Sequence, residues 1–272
     1  MRVKIIGVLV ALGILISLTA GCGGGASSII KEIMQLLPDD TDYLMYADIA
    51  SLRSDRDFED QYDDLESMFE YDLDMIGLDA SDVDSVTFAV SDDYYCEWTF
   101  ITGDFDLDDF RDALEDDYYD EDEYRGVEIW SDGYDAYALI DDMIVYCDDE
   151  DALEDAIKRS VGEGSSSMYD DEDFADVFNQ TPSGVLVGIG EGGWSEYRCV
   201  GFSFSKASRD SVELNACFKF SSAGKAEDYE RDIEDEVEYM GDVYDIDVRR
   251  SGDCVIATAE MDIDDFYPWD YY

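Results

Sequence analysis

A chain of 272 residues with 71 acidic and 17 basic side chains carries a formal charge of −54 and has no histidine. Such a surface repels phosphate backbones and excludes nucleic acid as a partner, and the missing imidazole removes Ser-His-Asp and Cys-His catalysis along with histidine-dependent zinc sites. Because 46% of residues are apolar, the acidity belongs to a folded protein rather than a disordered one.

The chain opens with Arg2 and Lys4, runs apolar from Ile5 to Leu18, and closes on small residues before Cys22. That is the layout of a secretory signal peptide, and its apolar run falls short of the roughly 20 residues needed to span a bilayer. Thr19-Ala20-Gly21-Cys22 resembles the lipobox of bacterial lipoproteins, with Thr19 standing where leucine is usual. The resemblance implies cleavage before Cys22 and attachment of fatty acyl chains such as palmitate to its sulfur. Two or three chains on one cysteine give lasting attachment, whereas a single chain binds marginally. Residues 1–21 are therefore expected to be a signal peptide, and the Gly/Ser-rich stretch 22–28 a flexible tether.

Ile30, Ile33 and Leu37 at helical spacing, stopped by Pro38, predict a short helix. Tyr43 to Ile49 reads as a strand, and Phe58, Tyr62, Leu65 and Phe69 mark one face of the next helix. A hairpin follows over 85–102, then a helix over 108–117 and a strand over 126–130. A tight hairpin turning at Asp141-Asp142 and a helix over 151–159 close a first half, 29–160. VGEGSSSMYDD, 161–171, reads as a linker to a second half, 172–272. There a short helix ending before Pro182 leads to a strand at 184–189 and a hairpin over 199–220. A helix at 225–239 and a hairpin around Ser251-Gly252 complete the chain. FITGDFDLDDFRDALED and FKFSSAGKAEDYERDIED echo each other, each followed by strands. The predicted fold is α+β: antiparallel sheets with helices packed on one face, in two pseudo-repeats of hairpin, helix and hairpin.

In the 199–220 hairpin, pairing Phe202 with Leu214 sets Cys199 opposite Cys217 and predicts a cross-strand disulfide between them. Cys96, Cys147 and Cys254 are left over, so at least one is free or pairs between molecules. Gly188 to Gly193 satisfies GxGxxG, but the following residues read as strand, where a dinucleotide would need a helix N-terminus. Asp104, Asp106 and Asp108 mimic an EF-hand loop, yet Asp109 occupies the place of its glycine, so the acids are expected to cap a helix. No cofactor is expected beyond loose divalent cation binding by the acidic surface. The aromatic tail from Phe266 is expected to be tied down on the sheet.

LLPDDTDYLMYADI, the GDFDLDDFRDALED–YRGVEIW run and YDDEDFADV resemble an uncharacterised family of acidic prokaryotic lipoproteins. The resemblance implies an extracytoplasmic, domain-repeated protein and no particular chemistry. The expected role is non-enzymatic: binding of a protein or small-molecule ligand, or an envelope function, held to the membrane by lipid on Cys22. The alternatives are a carboxylate-dependent hydrolase of cell-wall or extracellular polymer, which requires two close carboxyl groups with one pKa raised, and a transporter's solute-binding lipoprotein.

Overall fold

The computed structural model describes residues 24–91, 96–192, 196–239 and 243–266. Within these it has seven helices and twelve strands, all paired antiparallel in the ladders described below, and the fold is α+β. The chain divides into two compact units, one over 29–170 and one built on 171–272. The proposed signal peptide and Cys22 lie outside the described residues.

Helix α1 (Gly24–Leu36) begins inside the stretch expected to be a tether. In the first unit, β1 (Thr41–Asp48) ends at Asp48, whose side chain accepts the Ser51 N–H at 2.9 Å and starts the short helix α2 (Ile49–Ser54). Helix α3 (Glu59–Met75) leads to β2 (Val83–Ser91) and β3 (Cys96–Gly103). Asp106 caps α4 (Leu107–Asp116), accepting the Asp108 N–H at 3.1 Å, so the EF-hand-like acids serve the helix terminus. Strands β4 (Asp120–Tyr124), β5 (Val127–Ser131), β6 (Ala136–Ile140) and β7 (Met143–Cys147) then precede α5 (Glu150–Ser160). The strand order is β1-β2-β3-β7-β6-β5-β4.

Helices cover both faces of this sheet, not one as the pattern suggested. On one side Val86, Ile101 and Ile144 pack with Leu73 of α3 and with Phe110 and Leu114 of α4. The Phe110 ring meets Trp130 edge-on at 5.5 Å. On the alternate side Phe100 faces Val145 and Trp98 faces Cys147. Here α5 packs on β6 and β7, with Leu153, Ala156 and Ile157 fully buried. The physical reason is visible in β7, where Met143, Ile144 and Val145 are consecutive and all buried. A run apolar at both parities needs cover on both sides. Over 161–170 the expected linker is docked on this unit: Met168 is fully buried and donates its N–H to the Leu37 carbonyl at 3.0 Å. Arg159 ties the same segment down through the Ser166 carbonyl and Ser165 Oγ.

The second unit comprises α6 (Glu172–Gln180), β8 (Leu186–Glu191), β9 (Tyr197–Lys206), β10 (Ser211–Phe220), α7 (Ala223–Tyr239), β11 (Val243–Ser251) and β12 (Cys254–Asp262). Its strand order is β8-β9-β10-β12-β11. Helix α6 lies so close over β9 that a Cβ at Gly201 would sit 2.4 Å from both Val177 Cγ1 and Thr181 Oγ1. The other face takes α7, where Tyr229 stacks on Phe220 with centroids 5.7 Å apart. Phe266 is buried against Phe204 at 4.9 Å, while the rest of the aromatic tail lies outside the described residues.

Candidate functional site

The five cysteines among the described residues are all buried thiols, and four of them fall into two cross-strand pairs. In the first unit Trp98 of β3 faces Cys147 of β7, which makes Cys96, two residues away on the same face, a diagonal neighbour of Cys147. In the second unit Lys219 of β10 faces Cys254 of β12, and Cys217 is the diagonal neighbour.

The predicted Cys199–Cys217 register shifts by two residues: Cys217 faces Gly201, and Cys199 faces Lys219. The turn decides this. Ala207 N–H donates to the Ser211 carbonyl at 3.1 Å and the Ser208 and Ser211 hydroxyls meet at 2.7 Å, so the loop is shorter than the alternation alone implied. A two-residue slip keeps every side chain on its face, and Cys199 remains beside Cys217, on the diagonal.

Cys199, Cys217, Cys254 and Lys219 thus share the face roofed by α6. Gln180 Nε2 donates to Cys254 Sγ at 3.1 Å. Lys219 reaches Asp176 at 2.6 Å and Asp253 at 3.2 Å. Burial works to lower its ammonium pKa, but those two carboxylates outweigh burial and hold it above the ordinary lysine range. Hydrogen bonding from Cys217, then Gln180 and the Lys219 charge, pulls the Cys254 thiol down, against burial. The Cys217 thiol is pushed up by that same bond and by burial, while Cys199 is pushed up by burial and by Asp171 and Asp173.

The surroundings of the first pair are different. Cys96 Sγ, Cys147 Sγ and an Asp148 carboxylate oxygen all lie within 4.8 Å of one another. Asp148 Oδ1 accepts the Glu97 N–H at 2.8 Å, and the Asp149 N–H is directed at the Cys147 sulfur. The contact with Cys96, then burial, pushes the Cys147 thiol far up. A cavity of about 230 Å³ opens beside Cys96, walled by Trp98, Asp39, Asp40, Asp149, Asp155 and Arg159. The Trp98 indole N–H is buried and has no acceptor among the described residues.

Two further features bear on function. Glu213 and Glu260 face each other across β10 and β12, and burial followed by the Glu260 charge raises the Glu213 pKa. Met68, Tyr71 and Met75, spaced three and four apart on α3, are exposed. The GxGxxG stretch supplies strand β8 up to Glu191, and the next strand begins at Tyr197, leaving no room for the helix that a dinucleotide site requires.

No family model and no curated protein matches the chain. Among solved structures it is similar to crystal form IV of TP0453, with 9% identity and a TM-score of 0.51 over 85% of this chain and 92% of that one. Crystal form I of TP0453 gives 10% identity and a TM-score of 0.52 over the same shares. At such identity the likeness concerns the fold alone.

Proposed function

We propose that this protein is an acidic lipoprotein, held outside the cytoplasm by acyl chains on Cys22, with a non-enzymatic binding role. The observation that carries the reading is the leader: a positive start, an apolar run too short to remain as a span, and Thr19-Ala20-Gly21 directly before Cys22. No helix among the described residues is long and apolar enough to cross a membrane, so in this reading the lipid supplies the attachment. Met68, Tyr71 and Met75 support partner binding, because an apolar stripe on an otherwise acidic helix is a surface that a second macromolecule can cover. The raised Glu213 beside Glu260 meets the carboxylate requirement of a hydrolase, but the cavity beside Cys96 is lined by other residues.

The same reading takes the two units as pseudo-repeats. Supporting it, β9-β10-α7-β11-β12 follows the sequence of β2-β3-α4 and then β6-β7, and in each unit the third strand of the order pairs with the last in sequence. The test of the anchor is metabolic labelling with palmitate in a host that processes lipoproteins. Label in the membrane-bound chain, lost in Cys22→Ser, is expected. An unlabelled chain that keeps Met1 and stays with the soluble cytoplasm refutes it.

A further inference from the structure

We propose that Cys96, Cys147 and Asp148 form a binding site for one thiophilic divalent cation of the zinc type. Three observations converge on it, and none depends on the lipid anchor. The donor set comes first. Two sulfurs and a carboxylate oxygen within 4.8 Å of one another match a tetrahedral ion, whose bond lengths of about 2.3 Å to sulfur set the sulfurs about 3.8 Å apart. The strand pairing of β3 with β7 fixes both cysteines on one face without requiring a loop to close around the ion.

Second, the groups behind the donors are arranged for coordination. The Glu97 N–H holds Asp148 through Oδ1 and leaves the other oxygen for a ligand. Third, the site has an approach. The cavity beside Cys96 carries five aspartates, Asp39, Asp40, Asp149, Asp151 and Asp155, against the single cation Arg159, a balance that draws a cation in, and it has volume for a water. Trp98, whose buried indole N–H has no acceptor among the described residues, lines the same cavity. On binding, each sulfur exchanges its proton for the metal; two protons pass to solvent and no electrons move.

The second thiol pair lacks these properties and serves as the internal control. Its nearest carboxylate, Asp253, is already held by the Lys219 ammonium at 3.2 Å, and Gln180 already donates to Cys254.

The experiment uses the full chain, reduced and stripped of metal, titrated with cadmium as an optical probe under excess magnesium and salt to silence surface carboxylates. One equivalent is expected, with a thiolate-to-cadmium charge-transfer band that zinc abolishes in competition. Cys96→Ser or Cys147→Ser should weaken binding by more than the roughly 10- to 100-fold typical of outer-shell changes, and Cys217→Ser should leave it unaltered. Asp148→Asn, on an exposed side chain, should weaken binding while keeping the band, and does not threaten folding. Cadmium NMR on the unaltered chain should report two bound sulfurs. The proposal fails if fewer sulfurs are bound, if the band survives Cys147→Ser or disappears with Cys217→Ser, if magnesium displaces the ion, or if the native protein holds a Cys96–Cys147 disulfide.

Discussion

The two thiol pairs have the same backbone relation and different surroundings. Each places one cysteine two residues from the partner of the other, on strands adjacent in the sheet but separated in sequence. Around Cys96 and Cys147 the nearest charges are carboxylates beside an open cavity. Around Cys217 and Cys254 there is a buried ammonium, itself held by Asp176 and Asp253 beneath α6. Strand pairing brings sulfurs together; whether an ammonium already holds the neighbouring carboxylate then decides whether they suit a cation or stabilise a lone thiolate.

The largest expected effect concerns the roof of the first pair. Leu153 is fully buried on α5, which packs against β6 and against β7, the strand bearing Cys147. Leu153→Ala should lower unfolding free energy by about 2–5 kcal/mol in denaturant titration and weaken cadmium binding with it. A loss under about 1 kcal/mol would show that α5 does not secure these strands. Next is the ion that distinguishes the second pair. Lys219→Met should cost about 1.5–3 kcal/mol through its lost charged hydrogen bonds. It should also slow alkylation of Cys254 at neutral pH, because the thiol pKa rises when the ammonium is gone. Alkylation at an unchanged rate would assign that thiol's depression to Cys217 and Gln180 alone.

The smallest effect tests the carboxyl pair. A raised folded-state pKa means that Glu213 favours folding fully below the ordinary glutamate value and that this contribution is lost as pH rises from there through the raised value. Glu213→Gln should therefore stabilise the protein at neutral pH by about 0.2–1 kcal/mol, a gain that fades on acidification. Equal stabilisation at acid and neutral pH would remove Glu260 repulsion and burial as its cause.

Much of the secondary structure was readable from residue pattern. The turn at Asp141-Asp142 separates β6 from β7 as expected. Strand β4 was not readable. Its sequence DEDEY has the composition of a solvated turn, and it is held by backbone pairing to β5 at the sheet edge, where side-chain burial is not needed. Helix α2 escaped too, although Asp48 before Ile49 and Leu52 carried a cap signal. Of the candidate site, Cys96 was placed on a hairpin strand by the pattern over 85–102. Its proximity to Cys147 did not follow, since β3 pairs with β7 across three intervening strands of sequence.

From its residues alone this chain determined a large acidic excess, the absence of histidine, a positive and then apolar stretch ahead of Cys22, and the α+β succession of its elements, because charge, composition and local periodicity are properties of neighbouring residues. Only the tertiary structure decided that helices cover both faces of each sheet, that Cys217 lies across from Gly201, and that two sulfurs and a carboxylate meet at the end of β7. These depend on which strands pair and on how tightly each turn closes, and both are settled by burial of surface between segments far apart in the chain.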